Sequence, residues 1–391
     1  MRHKVLHILN SVTGGIGRVL ALTSPRVRKL GIEPLVINLS GRYLEAAREG
    51  LRDIPCYDFS FVGIGERLVL PFCGPEMKAR REIRCLVQQL NPQVIHTHYF
   101  HTDILAAPIA ESAGIPQVVH IHGINKALRS RRAVRWPWTA DRAYMNLLRK
   151  PQTFVLLVSP YLRETLAQCG VTDWRGDVLV NGVDCDCFTP AGKTEEKTGK
   201  GLFHACGNPP SRPWIVFVGR LDANKDVSTA IRALGLLKKN SVLASLLVVG
   251  GGPEREPLDH LARSQDVAEQ VVFLGERSDI PDILRSSDIF CLPSLLEGMS
   301  VSTLEAMAAG LPVVASDIPA MRAIITAGES GLLATPGHAE AFAEALGRLI
   351  INGRERESMG QSARQRAVDR YSVDVQAEKM AEFYRRILKK S

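Results

Sequence analysis

Short apolar runs recur along the chain, and most are separated by segments whose apolar positions return every three or four residues. The runs read as buried strands and the segments between them as amphipathic helices. In the first half, this pattern predicts strands over 4–9, 34–39, 93–96, 117–121, 153–159 and 177–180, with helices over 76–90, 103–113 and 160–168. In the second half it predicts strands over 214–218, 245–252, 271–275 and 289–293, a helix over 301–309, and a strand beginning at Pro312. Helical patterns run from His338 onward, the last over 373–388. Strands alternating with helices mark parallel βαβ units, whose ligands collect at the C-terminal ends of the strands. The opening Met1-Arg-His-Lys has the charge order of a signal peptide, but the apolar stretch behind it is too short and runs into a glycine turn. It reads as a first strand.

A chain of 391 residues, 45% of them hydrophobic, exceeds one compact core and implies two domains. No apolar run approaches the roughly 18–20 residues of a membrane span. The eight cysteines are scattered, and Cys185-Asp-Cys187 has neither zinc-knuckle nor redox spacing, so a reduced, cytoplasmic setting is expected.

Charge divides the chain unevenly. Residues 1–190 hold 24 Lys and Arg against 16 Asp and Glu, whereas the remainder holds 25 of each. The densest stretch runs from Lys126 to Lys150, where Arg129, Arg131, Arg132, Arg135, Arg142 and Arg149 interleave with Trp136, Trp138 and Tyr144. Such a mixture suits an anionic membrane surface, and equally a solvated basic face with partly buried aromatics. No nucleic-acid module accompanies the charge, so nucleic acid is not an expected partner.

The chemistry concentrates between Glu297 and Val314. Gly298 frees the backbone after Glu297, Ser300 is a good N-cap for the predicted helix, and Glu305 sits one turn in, with Gly310 and Pro312 closing it. A helix start offers N–H groups and partial positive charge to a phosphate, and each carboxylate can accept from hydroxyls. A nucleotide sugar carries both kinds of group. From the pair alone, a loop charge and a solvated helix residue fit as well.

Gly219-Arg220, with Lys225 at the next helix start, places two cations at a strand end, as a diphosphate clamp requires. Gly14-Gly15-Ile16-Gly17 forms a glycine-rich turn opening a helix; by itself it equally suits a plain tight turn. Two histidine groups also fall at strand ends: His96-Thr-His98 with His101, and His120-Ile-His122-Gly123. Five imidazoles could converge on zinc, but no Cys, Asp or Glu stands beside them at a recognisable metal spacing, and no metal site is expected.

Glu297, seven residues, Glu305, then Ala-Met-Ala-Ala-Gly-Leu-Pro-Val-Val-Ala resembles the E-x7-E signature of the retaining glycosyltransferases of family 4. Further landmarks follow in order: the Gly14-Gly15 loop, Val-Ile-His-Thr-His-Tyr, His122-Gly123, Asn181-Gly-Val-Asp184 and Gly219-Arg220-Leu with Lys225. Met299-Ser300 replaces the usual Phe-Gly, and Asp226 stands where Gly is common.

The resemblance implies an α/β, GT-B fold: two Rossmann-like domains with parallel sheets facing a central cleft, residues 1–190 on the acceptor side and 191–372 on the donor side. The stretch 189–213 would link them, and the final helix, about 373–391, would pack back on the first domain. It further implies that Arg220 and Lys225 hold the donor diphosphate, that Glu305 accepts from ribose hydroxyls, and that Glu297 contacts the sugar. Backbone N–H groups of Met299, Ser300 and Val301 beside Gly298 would complete the phosphate site, and Gly275, Glu276 and Arg277 would read the base. Gly14, Gly15 and Gly17 would border the donor, and His122 would hold the transferring sugar, with His120 a structural neighbour.

The expected activity is retaining transfer of a hexosyl or N-acetylhexosaminyl group, without a cofactor or metal, from a nucleoside diphosphate sugar, UDP by family habit. The acceptor would be a sugar or lipid-linked glycan of cell-surface polysaccharide or glycolipid, and the enzyme would be cytoplasmic or peripheral on the inner face of the plasma membrane. An epimerase of the same fold and a donor-binding subunit without activity remain alternatives; a glycosidase using Glu297 and Glu305 would need no diphosphate clamp.

Overall fold

The computed structural model describes residues 2–12, 14–43, 45–60, 74–123, 140–192 and 212–389. The chain divides into two compact units: Met1–Gly182 with Val373–Ser391, and Val183–Ser372.

The first unit is built on β1 (His3–Leu9), β2 (Ile32–Asn38), β3 (Cys56–Asp58), β4 (Val94–Thr97), β5 (Gln117–Ile121), β6 (Thr153–Leu157) and β7 (Arg175–Val178). They form one parallel sheet in the order β3-β2-β1-β4-β5-β6-β7. Successive residues of a strand point to opposite faces, and both faces here are covered, which is why the strands read as continuous apolar runs. On one face Val5, Val94, Val118 and Leu156 meet Ala377, Met380, Tyr384 and Ile387 of the last helix, Val373–Leu388. On the other, Leu6, Ile8 and Ile95 meet Ile83, Leu105 and Ile109 of helices Gly74–Leu90 and Phe100–Ala113.

The second unit repeats the plan with β8 (Trp214–Val218), β9 (Ser245–Val249), β10 (Val271–Gly275), β11 (Ile289–Leu292), β12 (Val313–Ser316) and β13 (Gly331–Ala334), parallel in the order β10-β9-β8-β11-β12-β13. In each sheet the chain builds outward from the first strand and then returns to that strand's other side. This creates a switch point between β1 and β4 in one unit and between β8 and β11 in the other. Such points are where open α/β sheets bind ligands.

The chain passes from one unit to the other at Asn181-Gly182-Val183 and again at Ser372-Val373, and the two passages run side by side. Val183 donates its N–H to the carbonyl of Tyr371, 2.8 Å away, and a Cβ on Gly182 would come within 2.6 Å of the Val373 Cα. Within the stretch expected to link the domains, residues 193–211 lie outside the described residues.

Two local expectations are corrected. The predicted strand over 245–252 ends at Val249, because Gly250 takes a φ of +131° and its backbone lies against Gly219; a Cβ there would sit 1.9 Å from the Gly219 carbonyl oxygen. The glycine-rich turn is already helix: Gly14, Gly15 and Gly17 occupy the first turn of Gly14–Lys29, and a Cβ on Gly17 would lie 2.5 Å from the Val12 carbonyl carbon. The glycines there allow a tight entry into the helix.

Candidate active site

In the second unit the loops that follow β8 and β11 meet at the switch point. Leu295 donates its N–H to the carbonyl of Asn224 at 2.8 Å, which ties the loops together beside Lys225 and Glu297. The Lys225 Nζ lies 2.5 Å from Glu297 Oε1, and both side chains are largely buried. Glu297 is thus a largely buried, ion-paired residue of the loop after β11, and the reading of it as a plain solvated loop charge does not hold. Glu305, only 3% exposed, is likewise no solvated helix residue.

The local sequence explains the placement. Ser300 is the N-cap of helix Val301–Ala308, its Oγ accepting from the Thr303 N–H at 3.2 Å and from the Thr303 hydroxyl at 2.9 Å. The first N–H groups of a helix have no partner inside it, so this end retains donors for an anion. Met299 and Ser300 are both buried against the unit. Gly310, at φ +76°, ends the turn after the helix, as its position predicts.

Arg220 stands out from the loop after β8, its guanidinium 3.1 Å from the Asp222 carboxylate, and the Asp222 Oδ1 also accepts from the Asn224 N–H at 3.1 Å. Asp222 therefore shapes the turn that carries both cations. Its only sequence signal was an Asp two residues before Asn224, a common side-chain turn.

Asp226 occupies the left-handed region, φ +44° and ψ +44°, which explains why glycine suits this position. Its carboxylate accepts from the Ser228 and Thr229 hydroxyls, both at 2.6 Å, and so stabilises the strained start of helix Val227–Lys239. Gly275 ends β10 at φ +68° and gives its carbonyl to Gly250 N–H at 2.7 Å. Arg277 grips Asp279 in a two-pronged ion pair and holds that carboxyl below its usual range. The loop carrying Glu276 is therefore anchored at both ends.

Among the described residues, the switch point of the first unit is lined by imidazoles in place of such ion pairs. Here His7 of β1, His96 of β4, His98 beyond it, and His120 and His122 at the end of β5 stack ring on ring. The pairs on alternate residues lie side by side as the strand period requires: the His96 and His98 rings stack with centroids 4.3 Å apart, and those of His120 and His122 are 4.1 Å apart but tilted by 35°. His7 Nδ1 is 2.9 Å from His98 Nε2, and His98 Nδ1 is 3.2 Å from His122 Nε2. His96 Nδ1 meets the Tyr384 hydroxyl at 2.6 Å.

Burial disfavours the imidazolium and pushes His7 and His122 down to about 3; His96, His98 and His120 also fall well below the usual histidine value, each further lowered by its neighbours. All five are neutral at physiological pH. The histidine expected among them and not found there is His101, which lies edge-on to Phe100 in the next helix. His7 takes its place, and a single histidine inside an apolar strand gave no sequence signal of its role. Tyr384 was equally hidden, because its contact depends on the last helix.

Of the basic stretch, residues 126–139, including Trp136 and Trp138, lie outside the described residues. Tyr144, counted among its aromatics, is 1% exposed and belongs to the interior, not to a headgroup-facing surface. Arg149 donates to the Gly170 carbonyl, and Lys150 pairs with Glu111 at 2.7 Å. Among the described residues no helix is long and apolar enough to cross a membrane.

Sucrose-phosphate synthase from Thermosynechococcus elongatus superposes on the whole chain over its own whole length, with a TM-score of 0.80 at 17% identity. HepE of Anabaena, solved in complex with UDP and glucose, covers 97% of this chain and 99% of its own with a TM-score of 0.79 at 20% identity. The two parallel-sheet units are those of the GT-B fold. Residues 13–187 match the model for Glycosyltransferase Family 4 and residues 203–366 that for Glycosyl transferases group 1, and the chain belongs to this glycosyltransferase family.

Among named relatives, the UDP-Gal:alpha-D-GlcNAc-diphosphoundecaprenol alpha-1,3-galactosyltransferase of Escherichia coli is 28% identical over 320 residues, 79% of either chain. The D-inositol 3-phosphate glycosyltransferase of Corynebacterium urealyticum is 26% identical over 392 aligned positions, 95% of this chain and 90% of its own.

Proposed function

We propose that this glycosyltransferase moves a hexosyl or N-acetylhexosaminyl group from a UDP-sugar to a hydroxyl of a lipid-linked glycan, with retention at the anomeric carbon. The observation that carries the reading is the Lys225–Glu297 pair beside Arg220 at the switch point of the second sheet, 2.5 Å across and next to a helix start capped by Ser300. In this reading Lys225 and Arg220 take the diphosphate and stabilise the charge that develops as it leaves, so no added metal is required. The N–H groups of Met299, Ser300 and Val301 after Gly298 add to that site. Glu305 accepts from the ribose, Glu297 from the sugar hydroxyls, and the backbone of Gly275, Glu276 and Arg277 reads the base.

In the same reading His122 contacts the transferring sugar, and Gly14, Gly15 and Gly17 border the donor. The incoming hydroxyl attacks the face the diphosphate leaves, giving its proton to the departing phosphate oxygen; one glycosidic bond forms as the sugar–phosphate bond breaks. The uridine and lipid-linked choices draw support from the E. coli relative named for both and from HepE, solved with UDP and glucose. A lipid-linked acceptor would bring the protein to the cytoplasmic face of a membrane.

The test incubates the purified protein with UDP-, GDP- and ADP-sugars and a prenyl-diphosphate-linked N-acetylglucosamine, and follows the product by NMR. Formation of an α-linked product from an α-linked UDP-sugar is expected. A changed sugar without acceptor would instead mark an epimerase, and no turnover with any donor would mark a binding subunit.

A further inference from the structure

The stack of imidazoles in the first unit exceeds what one sugar-contacting histidine needs, and its geometry has a second use. We propose that His98, His120 and His122 bind one resident transition-metal cation that favours nitrogen ligands, zinc being the type, with His7 supporting His98 from behind. One ligand nitrogen from each of the three lies within 4.8 Å of the others. The closest approach, His98 Nδ1 to His122 Nε2, is 3.2 Å. Two nitrogens about 2.0–2.1 Å from one tetrahedral zinc stand about 3.3 Å apart, so this edge fits a shared ion as well as a hydrogen bond.

His120 supplies the third side. It is 2% exposed, and among the described residues neither of its ring nitrogens has a hydrogen-bond partner. Buried polar groups are ordinarily satisfied, and one left bare points to an ion or a water. His98 has the backing that ligating histidines need: with Nδ1 on the cation, its Nε2–H points to His7 Nδ1 at 2.9 Å, which fixes tautomer and ring orientation.

A cavity of about 10 Å³, room for one water-sized sphere, is lined by His7, His98, His120 and His122 together with Leu20 and Ser24. It provides a fourth position for water or hydroxide, the latter offsetting part of the cation's charge. The other trio, His7, His96 and His98, is the poorer set: its His7–His98 contact of 2.9 Å is a hydrogen-bond distance and short for two ligands of one tetrahedral ion. The proposed cation ties the end of β4 to the end of β5. It stands independently of the glycosyltransferase reading.

The test uses untagged protein stripped with a chelator and titrated with Zn²⁺ alone, then with Co²⁺ as a spectroscopic probe. About one Zn²⁺ per chain is expected, with a higher melting temperature and, for Co²⁺, the intense visible bands of a four-coordinate site. His120→Ala, which removes a direct ligand, should weaken binding by at least the roughly 100-fold that loss of a supporting partner can cost, whereas His101→Ala should leave it unchanged. If His120→Ala fails to fold, displacement of the wild-type cobalt spectrum by one equivalent of zinc carries the test. Less than about a tenth of an equivalent bound to the wild type, or binding that survives His120→Ala, would overturn the site and leave a hydrogen-bonded imidazole chain with water in the cavity.

Discussion

The two units share one sheet plan and place their unusual residues at the same topological point, yet they fill it with opposite chemistry. At the β8–β11 switch the side chains are ionic and partnered: Arg220 with Asp222, and Lys225 with Glu297. At the β1–β4 switch they are five neutral imidazoles, stripped of charge by burial. The contrast shows that topology selects where a site forms, whereas burial and partner choice decide what the site can hold. Fixed cations suit a diphosphate whose charge grows during reaction. Neutral rings with free lone pairs suit hydroxyls or a soft cation.

The ionic side of this comparison carries the largest expected effect. Lys225→Ala should lower transfer by about 10²-fold or more, the scale on which one preorganised charge stabiliser acts, while leaving the melting temperature near that of the wild type. A variant that turns over normally would remove Lys225 from the reaction.

A second test sharpens the neutral side. Asp103, buried in helix Phe100–Ala113, is pushed up to about 8 by desolvation, so it is a neutral acid in the folded state at pH 7. Because the folded value lies above the unfolded one, its contribution to stability is complete below about pH 4 and is lost as pH rises toward about 8. Asp103→Asn should therefore melt about 5 °C above the wild type at pH 8 and within about 2 °C of it at pH 5. Parallel melting curves across that range would show that Asp103 is ionised in the fold.

The smallest effect concerns the backbone under the ionic site. At its left-handed φ, Asp226→Gly should be nearly neutral, whereas Asp226→Ala should cost about 1–2 kcal/mol in chemical denaturation. Equal losses in both would place the value of Asp226 in its hydroxyl contacts and not in its backbone.

Much of the ionic site was legible because its parts are local. The Ser300 cap, the helix behind it and the closing Gly310 stand in one continuous stretch, and β8 and β10 run over the predicted residues. What the pattern hid depends on side chains or on distant chain. Asp226 looked like an irregular substitution until its φ of +44° showed that the position needs a left-handed residue. The short edge strand β3, Cys56–Asp58, lacks a buried run and left no trace in the hydrophobic pattern. His7, some ninety residues from His98, and Tyr384, at the far end of the chain from His96, enter the imidazole stack only once the sheet and last helix have formed. No spacing rule joins residues so far apart.

The claim at the centre of this account is that the ionic switch point of the second unit is a nucleoside diphosphate site. Calorimetric titration of UDP into the wild type and Lys225→Ala, with chelator present and at two salt concentrations, tests it most directly. The account predicts wild-type binding that weakens with salt and falls by about 10-fold or more in the variant. Equal affinity in the two proteins, or no binding of any nucleoside diphosphate to the wild type, would contradict it.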